Sequence, residues 1–200
     1  MKRLGILCVA MACLLSTAAF ADQLFLTPPT GHTLGKGAGG TRGDYVTMTD
    51  NFTLSSIGIQ GEIDPATQMT FNAYVYTGDG LTQLAVGSDM TFTGDGTEQF
   101  FNLPINFTLQ SGQSYDIGID FHSFNAPNWA VDFYFFDSGS NSPFNVGPFM
   151  VTDGEESHCG SCNIFAPNLE VNGAVPEPGT FLMLGTGILG LAGSLRRKLF

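Results

Sequence analysis

Positive charge is what this chain has least of. Between residues 22 and 175 only Lys36 and Arg42 are basic, against seventeen acidic residues, a net charge of −15; the other five basic residues lie near the termini. Such a segment repels phosphate backbones and anionic surfaces and favours solubility, so a nucleic-acid partner is excluded. Thiols are scarce too, and Cys159 and Cys162 are the only pair beyond residue 21. Also missing between residues 44 and 175 is any run of apolar residues at helical spacing long enough for a stable helix. What remains is one ordinary domain of 154 residues, long enough to bury roughly two thirds of its unfolded surface.

Its apolar residues recur with period two. In MTFNAYVYT (69–77), Met69, Phe71, Ala73 and Val75 alternate with Thr70, Asn72, Tyr74 and Tyr76. SYDIGIDF (114–121) and WAVDFYFF (129–136) alternate the same way. Further strand-like runs start at residues 45, 52, 81, 90, 98, 105 and 169. Turn signals separate them: GDG at 78–80 and 94–96, Leu-Pro at 103, and SGQ at 111–113. The pattern predicts an all-β fold, an antiparallel β-sandwich of jelly-roll type over residues 45–174. Residues 22–44 read as a glycine-rich loop or linker with room for a first strand. Gly35, Gly37 and Gly40 spell G-x-G-x-x-G, but a strand-like segment follows where a dinucleotide site needs a helix, and no P-loop is spelled either. No nucleotide is expected as a partner.

Few residues point to chemistry. Cys159 and Cys162, with two residues between them, are candidates for a local disulfide staple in an oxidising compartment, with a redox pair as the alternative. His158, with His32 or His122 approaching in space, leaves a zinc site short of a fourth ligand. Asp153, Glu155 and Glu156 read as solvated loop carboxylates or as part of a calcium site, although no D-x-D-x-D loop is present. Asp116, Asp120 and Asp132 lie on polar strand faces and would have to cluster to serve as a glycosidase acid pair. Tyr74, Tyr76, Tyr134 and Phe136 fall on outward faces and Trp129 starts a strand. These rings make a candidate glycan platform, the competing reading being that the faces carrying them are covered. Arg42-Gly43-Asp44 reads as a chance tripeptide, and the threonine-rich runs as surfaces that order water. No metal, cofactor or catalytic constellation is expected, and the chain is expected not to be an enzyme.

The ends carry the other bases. Lys2 and Arg3, an apolar stretch and Ala19-Phe20-Ala21 have the layout of a secretory signal cleaved after Ala21, so residues 1–21 are expected to be removed. A lipoprotein reading on Cys13 competes, but Met11 fits it poorly and apolar Leu14 and Leu15 follow. At the other end Val175-Pro176-Glu177-Pro178 breaks any regular element. An apolar, glycine-rich run of residues 180–195 follows, then Arg196, Arg197 and Lys198. Sixteen residues of helix reach about 24 Å, short of the roughly 30 Å hydrocarbon core, so the run predicts a marginal single transmembrane helix with its basic end cytoplasmic. Its small residues also match a helix-dimer face.

Those three parts, in that order at residues 175–200, resemble the PEP-CTERM sorting signal of exopolysaccharide-producing Gram-negative bacteria. The resemblance implies that an exosortase, a membrane cysteine transpeptidase, reads Pro176-Glu177-Pro178 and removes the tail. It also implies transient attachment to the membrane, delivery to the cell surface or matrix, and association with exopolysaccharide. The same segment is similar to one labelled an ice-binding protein C-terminal domain, a label silent about what the preceding domain binds. The rest of the chain resembles, at pattern level only, the sandwich domains common on such proteins.

Overall fold

Among the described residues the alternating pattern becomes thirteen strands in two antiparallel sheets. The computed structural model describes residues 22–28, 34–38, 40–121, 130–136, 143–156 and 166–175. The first sheet orders β1 (Asp22–Leu26), β13 (Leu169–Ala174), β4 (Phe52–Ile63), β10 (Val131–Phe136) and β2 (Leu34–Ala38), with β8 (Gln99–Leu109) also on β4. The second orders β11 (Phe144–Val146), β12 (Phe149–Glu156), β3 (Arg42–Met48), β9 (Ser114–Phe121), β5 (Gln68–Thr77) and β6 (Gln83–Val86), with β7 (Met90–Thr93) also on β5. Within the first sheet, β8 lines one side of β4, while β13 and β10 divide the other.

The period-two residues of both sheets meet in one core. Phe71 lies at its centre, with the rings of Phe92, Phe101, Phe121 and Phe133 at 5.9, 5.8, 5.9 and 5.8 Å. Phe101 and Phe133 come from the facing sheet, so these contacts join the two layers. Phe52 and Phe149 meet edge-on across the layers at 5.0 Å.

One irregularity is written into the sequence of β4. Its buried apolar residues run Phe52, Leu54, then Ile57, Ile59 and Ile63, switching from even to odd positions at the serine pair. A strand can change phase only by a bulge. The register against β13 shifts there, leaving Ser55 between the Leu54–Gly173 and Ser56–Asn172 pairs. Ser55 Oγ donates to the Asn172 carbonyl (3.0 Å), and Asn172 Nδ2 donates to Ser56 Oγ (3.1 Å). The bulge is therefore also a fastening between β4 and the last strand.

Several expectations are corrected. The glycine-rich stretch is not all loop, since residues 34–38 form β2 on β10 and Arg42-Gly43-Asp44 opens the interior strand β3. Leu103-Pro104 is not a turn. β8 runs straight through it, because among the described residues β8 pairs only with β4, and an edge strand tolerates a missing N–H. Asp153, Glu155 and Glu156 lie in β12 instead of a loop. The expected turns at 78–80, 94–96 and 111–113 form, with Gly80 at φ 69° and Gly96 at φ 76°, a conformation glycine adopts without cost.

Candidate sorting site at the end of the last strand

The end of β13 is where the domain gives way to the tail. β13 lies between two partners, paired with β4 from Leu169–Ile59 to Ala174–Thr53 and with β1 from Leu26–Leu169 to Asp22–Gly173. Asp22, the first residue after the expected cut at Ala21, is thus the cross-strand neighbour of Gly173. Asp22 and Gly173 lie side by side at the end of the first sheet that also carries the 49–51 and 110–113 turns. Those turns are tied together: Gly112 N–H donates to the Met48 carbonyl (2.7 Å), Ser111 Oγ to the Thr49 carbonyl (2.7 Å) and Ser111 N–H to Asn51 Oδ1 (2.8 Å). Val175 follows β13 directly and packs, half-buried, against the core. No spacer separates the folded ladder from Pro176.

The outer faces hold the other candidate residues and divide them. Asp116 and Asp120 sit on the outer face of the second sheet, whereas Asp132 sits on that of the first, cross-strand from Glu62. The three aspartates are not brought together. Asp116 is fully buried, and Asp120 Oδ1 accepts a hydrogen bond from Thr41 Oγ1 at 2.7 Å.

The tyrosines divide the same way. Tyr74 and Tyr76 face outward from the second sheet and Tyr134 from the first, so they form no single platform. Tyr74 is not available to a ligand at all, having 0% exposure. It is covered because its neighbours in β3 and β9 are Gly43 and Gly118, over which its phenol lies; a Cβ built on Gly118 would come 2.7 Å from Tyr74 Oη. Phe136 is buried as well. Tyr76 is half-buried, packs edge-on against Tyr74 at 5.5 Å, and has its phenol pKa raised by burial and then by Asp120 and Asp116.

Around Tyr134 the first sheet carries a polar patch. Lys36 Nζ, cross-strand from Tyr134, bridges Glu62 Oε2 (3.0 Å) and Asp132 Oδ2 (3.3 Å), and these hydrogen bonds hold its pKa above the ordinary value. Burial, then a hydrogen bond to Glu98, raises the Tyr134 phenol. Gln60 links Glu98 to Asn168 through its amide. The other base of the domain, Arg42, is buried, with its guanidinium 5.2 Å above the Phe135 ring. Both cations are committed to internal contacts, which leaves the outward field acidic.

One buried charge was not foreseen. Asp44 lies on the inner face of β3, opposite Ile117, with no exposure and no hydrogen bond to either carboxylate oxygen among the described residues. Burial, reinforced by Asp116 and Asp153, pushes its pKa well above the ordinary carboxylate value. The turn aspartates behave oppositely: hydrogen bonds from Thr77 and from Thr97 lower Asp79 and Asp95.

Trp129, Cys159, Cys162, His32, His122 and His158 lie outside the described residues, as do Ala19, Ala21, Pro176, Glu177, Pro178, Arg196, Arg197, Lys198 and the apolar run 180–195. Among the described residues no group of three or more His, Cys, Asp or Glu is arranged to hold a metal, and no helix is long and apolar enough to cross a membrane.

The geometry defines an all-β domain of two antiparallel sheets whose last interior strand runs without a linker into its C-terminal segment. Residues 174–198 of that segment match the model of the PEP-CTERM protein-sorting motif, about an eighth of the chain. The match starts on Ala174, the last residue of β13. PEP-CTERM signals are processed by exosortase, a membrane protein, and the match supports a protein that is exported and sorted to the surface or beyond. A search of curated proteins finds no match to this chain. What sequence reasoning missed is Val175's packing and the Asp22–Gly173 pairing. The only signal for the first was the absence of glycine- or serine-rich spacing between Leu169-Glu170-Val171 and Val175-Pro176.

Proposed function

We propose that this chain is a non-enzymatic surface or matrix protein. A signal peptide exports it, a C-terminal helix holds it in the membrane, and an exosortase acting at Pro176-Glu177-Pro178 releases it to associate with exopolysaccharide. The observation that carries this reading is the sorting-motif match beginning on the last residue of a folded, acidic β-domain. A marginal helix suits the role, because it need only stall the chain while the motif is read, and Arg196, Arg197 and Lys198 would stop translocation. Changing Pro176, Glu177 and Pro178 together to alanine in the native host tests it. The precursor should keep its tail and accumulate in the membrane fraction; unchanged processing and location would refute the reading.

A second reading has one observation in its favour. Tyr134 is partly exposed within the patch of Lys36, Glu62, Asp132 and Glu98, where a ring borders polar groups that could orient hydroxyls. In this reading the outer face of the first sheet is a carbohydrate-binding surface, and Tyr74 takes no part. Among the described residues ice binding or hydrolysis finds no comparable grouping: the threonine and serine hydroxyls at Thr53–Thr108, Thr70–Thr91 and Thr47–Ser114 bond one another.

A further inference from the structure

Two demands meet at Val175. It opens the V-P-E-P stretch of the sorting segment, and it is also a residue packed against the core of the sandwich. Just upstream, Ala174 is held in register with Thr53, and Asn172 is fastened to the serine bulge of β4. The matched segment therefore begins inside the ladder, with its first residue in β13 and its second docked on the core. Between Val175 and the apolar run at Thr180 there are only four residues, Pro176 to Gly179, so the five steps reach at most about 18 Å when fully extended.

A transpeptidase that reads backbone around a proline-rich motif must enclose an extended stretch on each side of the residues it recognises. Backbone in a closed ladder and a side chain in a core are both withheld from such a cleft. A ligand that binds only the released form sees its affinity reduced by the fraction of chains in that form. We infer that the folded domain brakes its own processing: Val175, docked on the core at the end of β13, is a positioning residue that withholds the sorting motif from the exosortase except when this end of the strand lets go. This rests on the reading of residues 174–198 as an exosortase site and adds to it a rate set by the sandwich. Freeing the contact of one half-buried valine corresponds to roughly a five-fold increase in the accessible fraction.

The test uses the full chain in a host that carries the processing enzyme. An eight-residue insertion of glycine and serine ending in valine, placed between Val175 and Pro176, leaves Val175 docked and gives the motif a second, free valine. Conversion of precursor to tail-free product is followed by pulse-chase, and limited proteolysis of the same samples checks that the domain stays folded. The expected result is processing about five-fold faster than in the parent at equal protease resistance. Parental or slower processing would overturn the brake, the slower outcome meaning that close spacing is itself required. A control combines the insertion with Pro176, Glu177 and Pro178 changed to alanine. Continued processing there would remove the exosortase reading itself, whereas its loss there beside a parental rate in the plain insertion would remove only the brake.

Discussion

The phenol of Tyr74 lies over Gly118, so that a Cβ built on Gly118 would stand 2.7 Å from Tyr74 Oη and 2.5 Å from the Gly43 Cα. The outer face of the second sheet is thereby packed with a ring where two adjoining strands have no side chain. Gly118→Ala should destabilise the domain by about 1–3 kcal/mol, as overpacking does elsewhere. Urea unfolding of the two proteins measures it, and adding Tyr74→Leu should not recover the loss, because the tightest contact of the new Cβ is the Arg42 carbonyl oxygen at 2.2 Å.

The same burial separates stability from ligand binding among the tyrosines. Tyr74→Ala should lower the thermal midpoint by removing a fully buried ring. Tyr134→Ala should leave the midpoint nearly unchanged and, if the outer face of the first sheet binds glycans, abolish retention on a glycan array. Retention that survives Tyr134→Ala would count against that surface.

Asp44 makes the domain sensitive to pH in an unusual direction. Its pKa is raised in the folded state, by burial first and then by Asp116 and Asp153, so between the ordinary carboxylate value and the raised one the folded form binds the extra proton. Stability contributed by this group is therefore present at acid pH and falls as pH rises, with a limiting slope of about 1.4 kcal/mol per pH unit for one proton. Asp44→Asn removes the titration while keeping the shape. It should be more stable than the parent at pH 8, and the difference should shrink toward pH 4. Denaturant midpoints across that range give the answer.

Asn172 holds β13 two residues before its tail-proximal pair, Ala174–Thr53. Its Nδ2 donates to Glu170 Oε1 at 2.6 Å and to Ser56 Oγ at 3.1 Å, and Glu170 is only 3% exposed. Asn172→Ala strips a donor from a buried carboxylate and should cost about 1–3 kcal/mol. Glu170→Gln in the same chain should restore part of it, because a neutral amide tolerates the lost donor better. Hydrogen exchange along β13 would show whether the loss is local.

Regular strands were legible because alternation and glycine turns are local facts: β5, β9 and β10 and the turns between 78 and 113 follow from residues a few positions apart. β2 was hidden because Gly35 and Gly37 leave no apolar alternation to see, and its pairing with β10 is decided about a hundred residues away. β11 and β12 were missed because Gly147-Pro148 reads as an interruption, while in the fold it is the hairpin turn between them. Alternation places Tyr74 on the outward face and leaves open whether that face is covered. Gly43 and Gly118 become its neighbours only when β3, β9 and β5 lie side by side, and no spacing in the sequence announces that. The sorting segment was readable for the opposite reason, since its signal is a contiguous order of residue types that needs no fold. How it joins the fold was not readable, because Val175's contact depends on where β13 ends.

An interior strand is also a mechanical choice. β13 is gripped by β4 on one side and β1 on the other. A pull on Ala174 along the strand would load both ladders in shear, across hydrogen bonds that run perpendicular to the force, so they would yield together. An edge strand pulled outward would peel one pair at a time. A protein fixed to a surface by this end would therefore resist drag from flowing liquid up to the strength of two ladders acting in parallel.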